Sequence, residues 1–254
     1  MSQSLSMVAP SGLVAGDSRI AGHHPSGSDP FAQARGLMVD GQVRPNQVND
    51  PRIIEAMRQI RRERFVPEAA RLLAYRDGEV EITSGRALTE PRVIARLVQA
   101  AGVRAGEKVL LVGAATGYVA ALLACLGAEV VALESDPALA ALGASLTADR
   151  DTFADRRSVE PVIWSVGPLA AGVGAGAPYD LIVIDGAVAC IPSALAAQLR
   201  AGGRVVTVIS PQRAGRVACA SLAEEVGGGL RPVPLFDAAV RPIAELAAAP
   251  AFVF

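Results

Sequence analysis

The stretch "VLLVGAATGYVAALLACLGAEVVALESDP", Val109 to Pro137, limits the possible folds more than any other part of the chain. An apolar run enters a turn bounded by Gly113 and Gly117. A helix of small residues follows, and a second apolar run ends on Glu134. A strand, a crossover helix and a second strand place two parallel strands in one sheet, with a right-handed connection. The later runs "LIVID" and "RVVTVI" have the near-continuous apolar character of strands covered on both faces. The pattern predicts an α/β fold with a doubly wound parallel sheet. Strands are expected over 108–113, 129–134, 159–166, 179–185 and 203–210, and helices over 117–126, 137–147 and 193–199. "VACASLAEEV", "LRPVPLFDA" and "AFVF" are expected as late, partly antiparallel strands at the sheet edge.

The region before the first strand reads as helical. Asp50 is placed to cap a helix opened by Pro51, with Ile53, Ile54, Met57 and Ile60 at helical spacing. Pro67 opens a short helix in "VPEAARLLAY", "GEVEI" is a short strand, and Thr89 caps a third helix in "LTEPRVIARLVQAAGV". Residues 1–30, rich in Ser, Gly and Pro, read as a disordered tail; His23 and His24 within it read as ordinary tail residues. The expected division is one domain over 31–254, with a helical substrate-side region at 31–106 and an α/β core from 107 onward.

Composition narrows the function. The 254 residues, 51% hydrophobic, can bury a sizeable core, and a net charge of -1 gives no field favouring nucleic acid or an anionic membrane. The arginines of "RQIRRERF" (Arg58 to Arg64) read as the solvated face of an amphipathic helix, interspersed with Glu55 and Glu63. Cys125, Cys190 and Cys219 form no CxxC pair, so neither a metal site nor a disulfide framework is expected; Cys125 reads as a core residue and the setting as a reducing cytoplasm. No apolar run reaches the ~18 residues of a membrane span.

A strand, a glycine-bounded turn and a helix aim backbone N–H groups and a positive helix end at a ligand. Glu134 follows Gly113 by about 20 residues, at the end of the second strand, where an acid accepts hydrogen bonds from ribose hydroxyls. The plainer readings are close strand–helix packing at Gly113 and Gly117 and a solvated strand-end acid at Glu134. The loop alone does not separate a dinucleotide from S-adenosylmethionine, although the helical region ahead of it favours a methyltransferase layout.

"MVDGQVRPNQVNDPRIIEAMRQIRRERFVPEAARLLAYRDGEVEI" and "GRALTEP" resemble the start of protein-L-isoaspartate O-methyltransferases, in the manner of a divergent bacterial member. The resemblance continues through "VLLVGAATGYVAALLA", "APYDLIVIDGAV", "IPSALAAQLRAGGRVV" and "VPLFDA", over roughly 36–238. It implies a Rossmann-like methyltransferase fold and S-adenosylmethionine as cofactor. It also implies methylation of isoaspartyl carboxylates in damaged proteins or peptides, without a metal. The family's "GQTISQP" aligns with Gly85 to Pro91, which makes Thr89 the hydroxyl beside acceptor and methyl donor. Gly113, Thr116 and Gly117 match the cofactor turn, and Glu134 the ribose acid.

The chain departs from that pattern at several positions. Leu111 replaces an acid, Ala115 a middle glycine and Pro168 an adenine-side acid, while Arg86 and Ala87 replace glutamine and threonine of the substrate segment. The family's "TAA" after the fourth strand reads Asp185-Gly186-Ala187 here; Asp185 is expected to supply an acceptor for the cofactor or a base, or else to be a solvated strand-end acid. Three readings stay open on the sequence: an isoaspartyl methyltransferase, a methyltransferase with another acceptor, and a binding or regulatory module that has lost catalysis.

Overall fold

The computed structural model describes residues 29–210, 217–227 and 229–247. The predicted tail over 1–30 (all but its last two residues), its two histidines and the "AFVF" strand lie outside them. The described helices are α1 (Ala32–Met38), α2 (Pro51–Gln59), α3 (Pro91–Ala101), α4 (Tyr118–Cys125), α5 (Pro137–Ala148) and the single turn α6 (Ser193–Ala196). The strands are β1 (Val80–Thr83), β2 (Arg86–Leu88), β3 (Lys108–Val112), β4 (Glu129–Glu134), β5 (Ile163–Val166), β6 (Tyr179–Val188), β7 (Leu199–Ile209), β8 (Cys219–Val226) and β9 (Gly229–Asp237).

Strands β3 to β9 form one sheet in the order β5-β4-β3-β6-β7-β8-β9. The first five are mutually parallel, and β8 and β9 close the edge antiparallel. Strand order reverses between β3 and β6, so the crevice beyond their carboxyl ends is where such a sheet receives a ligand. β1 and β2 form a separate antiparallel hairpin. Only its first strand was expected; β2 is three residues long and carries no alternation to read.

Local chemistry sets the helices. Asp50 accepts from the Arg52 N–H, and Pro51 opens α2 as expected. Gly102 closes α3 in a left-handed conformation. Thr89 does not cap α3: Glu90 occupies the cap position without a side-chain bond, and the Thr89 hydroxyl points elsewhere. α4 is buried from Tyr118 to Ala124, which its uniformly apolar sequence requires.

The two faces of the sheet are covered unequally. One packs against α2 to α5, with Val109, Leu111, Leu181 and Val183 turned into the larger core. The other, with Leu110, Val112, Leu133 and Ile184, is covered by single turns that bring in Leu169, Leu195, Ile243 and Leu246. The connection from β5 to β6, "GPLAAGVGAGAP", holds too many glycines and prolines for a long helix. The predicted helix at 193–199 shortens to one turn for lack of length before β7. At the far edge, β9 carries Pro232 and Pro234, with no strand beyond it among the described residues.

Leu111, where the resemblance implies an acid, is fully buried in the larger core. The Arg58–Arg64 cluster is not a solvated helix face. α2 ends at Gln59, and Arg62 lies in a following 3₁₀ turn with no exposed surface. Arg58, Arg61 and Arg64 pair with Asp40, Asp29 and Asp149. No described helix is long and apolar enough to cross a membrane.

Trp164 of β5 lies across α5 at Gly143, where an added methyl would run into the indole ring. Gly143→Ala is therefore expected to destabilise the fold by about 1–3 kcal/mol, although alanine favours a helix. Gly36→Ala, with open space around it, is expected to stabilise by about 0.5–1 kcal/mol. Thermal unfolding of the two variants checks the opposite signs.

Candidate active site

The turn after β3 is built on Glu134. Its carboxylate is fully buried at the end of β4. It accepts from the N–H groups of Ala115 at 2.8 Å, Ser135 at 2.7 Å and Asp136 at 3.2 Å. A buried carboxylate needs such donors to remain charged. Ala115 reaches it by adopting φ 47°, left-handed backbone that suits glycine better. Gly117 turns the chain into α4 at φ 93°, with the Trp164 ring 2.9 Å from where a Cβ would stand. Thr116 donates its hydroxyl to the Phe65 carbonyl at 2.6 Å, fastening the turn to the N-terminal region rather than facing the crevice.

Asp185 lies within β6, which runs on to Val188; it is not a solvated strand-end acid. It accepts from the Thr89 hydroxyl at 2.6 Å. Burial raises its pKa from the ordinary 3.8 to about 6, against the opposing Thr89 hydrogen bond and the Arg62 charge. Arg62 holds this corner from behind. Its guanidinium donates to the carbonyls of Ala74 at 2.7 Å and Thr89 at 2.6 Å, and stacks on Tyr118 with 4.7 Å to the ring centre. Burial lowers its pKa. The block containing Arg62 was legible as a family signature, but no signal marked this arginine as the buried one.

Two further groups occupy the crevice. Arg86 of β2 bonds Glu134 through Nη2 at 3.0 Å and Nε at 3.3 Å, and Glu245 through Nη2 at 2.9 Å and Nη1 at 3.2 Å. Burial opposes its charge, but the hydrogen bonds it donates to Glu245 and Glu134 outweigh this and raise its pKa. The same pairing with Arg86 holds the Glu245 carboxyl down to about 2. Ile243 rests 3.1 Å from where a Cβ on Gly113 would be, in a segment bonded to β6 through Ala187. Nothing in the sequence announced this segment. Between Arg86, Thr89, Gly113, Asp185 and Ile243 lies a cavity of about 10 Å³.

The arrangement therefore offers a backbone turn after β3, one acid at the end of β4, a second within β6 and one hydroxyl beside it. The donor and acceptor set fits a nucleoside-bearing cation. With Arg86 and Ile243 where they lie, the cavity of about 10 Å³ is too small to hold one.

A family model described as protein-L-isoaspartate(D-aspartate) O-methyltransferase matches residues 36–224. A protein-L-isoaspartate O-methyltransferase of Methylorubrum extorquens is 38% identical over 191 residues, covering 74% of this chain and 80% of that protein. One of Methanoculleus marisnigri is 36% identical over 185 residues, covering 73% and 81%. A solved protein-L-isoaspartate O-methyltransferase superposes with TM-score 0.67 at 22% identity, over 85% of this chain and 66% of that one. A Plasmodium falciparum structure, described as a putative member in complex with S-adenosyl-L-homocysteine, gives 0.68 at 16% identity, over 86% and 100%.

Because the folded pKa of Asp185 lies above its ordinary value, its contribution to stability is fully present below about pH 3.8 and lost as pH rises through about 6. Asp185→Asn, which still accepts from Thr89, is expected to be the more stable protein at pH 7, by on the order of 2 kcal/mol. Denaturant titrations from pH 4 to pH 7 should show the advantage growing with pH.

Proposed function

The chain belongs to the protein-L-isoaspartate(D-aspartate) O-methyltransferase family, and on that premise we propose how its site methylates isoaspartyl carboxylates of damaged proteins and peptides. The observation that carries the reading is that three separate parts of the chain converge on one turn: Glu134 holds it through Ala115, and Thr89 and Asp185 line the cavity beside Gly113. S-Adenosylmethionine, when bound, supplies a methyl group activated by a sulfonium charge.

The residues divide the work. Glu134, already fixed by three backbone N–H groups, is the acceptor for ribose hydroxyls. The turn from Gly113 to Gly117 gives the backbone a close approach. Asp185 adds a second acid, so the crevice favours a cationic donor. An isoaspartyl carboxylate is ionised at neutral pH and needs no base, so the rate depends on orientation. Thr89 orients the acceptor. With the crevice closed its hydroxyl donates to Asp185 and its carbonyl is anchored by Arg62; the single O–H turns from Asp185 to the acceptor carboxylate when that enters. The helical region over 31–106 forms the acceptor side. The backbone nitrogen of the following residue then attacks the methyl ester and expels methanol, closing a succinimide whose hydrolysis returns some normal aspartate. The departures do not favour a lapsed binding module: Leu111 packs in the core, and Ala115 still donates its N–H to Glu134. The three free cysteines fit a reducing cytoplasm.

The test is methyl transfer to an isoaspartyl peptide and to its aspartyl twin. Transfer to the first alone is expected, with micromolar binding of S-adenosylhomocysteine, about -8 kcal/mol. Equal transfer to both, or to neither, would sink the reading. Thr89→Ala should lower kcat at least about tenfold while changing affinity for S-adenosylhomocysteine by less than about twofold.

A further inference from the structure

Arg86 stands where the acceptor segment and the cofactor acid meet. It follows the β1–β2 hairpin turn and precedes Thr89 by three residues, and both side chains line the same cavity. Its guanidinium takes up the acceptor capacity of Glu134 left by the backbone, and it bridges to Glu245, which lies 43% exposed at the surface. It is the cation shared by these two carboxylates. No ribose can engage Glu134 while Arg86 does, and a cavity of about 10 Å³ admits neither cofactor nor acceptor. Sites for ligands of that size run to roughly 300–1,000 Å³.

We propose that Arg86 serves two partners in turn: Glu134 and Glu245 while the crevice is closed, and the isoaspartyl carboxylate once Glu134 has been given over to the cofactor. The proposal rests on the methyltransferase reading above. A guanidinium displaced from two carboxylates in a narrow crevice seeks another. Its planar fork matches a carboxylate bidentately and leaves a lone pair of the acceptor free to attack. Thr89, on the same segment, would turn its one O–H from Asp185 to that carboxylate and hold it from a second side. Arg86 thus acts as a specificity-determining residue for the acceptor, and binding becomes ordered, cofactor first.

This makes Arg86 work against one ligand and for the other. Arg86→Gln should therefore bind S-adenosylhomocysteine about tenfold more tightly by calorimetry. The same variant should raise KM for an isoaspartyl peptide at least about tenfold, with the larger effect in KM rather than kcat. Glu245→Gln, a half-exposed change that spares the fold, should tighten S-adenosylhomocysteine binding about threefold. The proposal is overturned if the parent binds S-adenosylhomocysteine and Arg86→Gln binds it no better. It is also overturned if cofactor binding tightens but the peptide KM stays put, which would leave Arg86 a latch alone. Failure of the parent and both variants to bind S-adenosylhomocysteine would remove the methyl-donor reading as well, an outcome distinct from the other two.

Discussion

The buried carboxylate of Glu134 is the constraint from which the rest of the crevice follows. A fully desolvated charge is tolerated only with donors on every side. The chain meets this with backbone N–H groups from the turn after β3 and from the residues after β4. Those bonds fix how the two strands end relative to each other. They also explain why Ala115 accepts a backbone conformation that glycine would take more easily: its N–H is the donor that ties the turn to the acid. The acceptor capacity left over sets the terms for everything else that enters the crevice, protein side chain or ligand.

The second organising fact is the uneven cover of the sheet. Helices protect one face. Short turns and the segment around Ile243 protect the other, because the glycine-rich link between β5 and β6 forms only two 3₁₀ turns. The segment completing that second face is the same one that lies over Gly113. Part of the molecule's core is therefore continuous with the floor of its site, and any displacement of that segment would disturb apolar packing at Ile243 and Leu246.

Much of this was legible in the sequence, for identifiable reasons. Strands β3, β4, β6 and β7 were readable because buried parallel strands leave long apolar runs, and the Asp50–Pro51 start of α2 because caps are short-range chemistry. Glu134 was legible through its distance from Gly113. Long-range pairings were not. Thr89 was read as a helix cap and, through the resemblance, as a hydroxyl beside acceptor and methyl donor; that its hydroxyl crosses 96 positions of chain to Asp185 was not readable. Arg62 was read among solvated arginines, yet it is buried against Tyr118. The tie from Arg86 to Glu245 spans 159 positions. Each rests on tertiary placement, which periodicity and local propensity do not encode.

The two prolines of β9 have a consequence for molecules in numbers. A sheet whose outermost strand ended in free N–H groups would be a template for the next chain to lengthen. Proline is tolerated in a strand where the missing donor faces solvent, and Pro232 and Pro234 stand two residues apart on that rim. A protein proposed to mend other chains damaged by age thus carries, at its own border, a feature that discourages the stacking into which aged and misfolded chains fall.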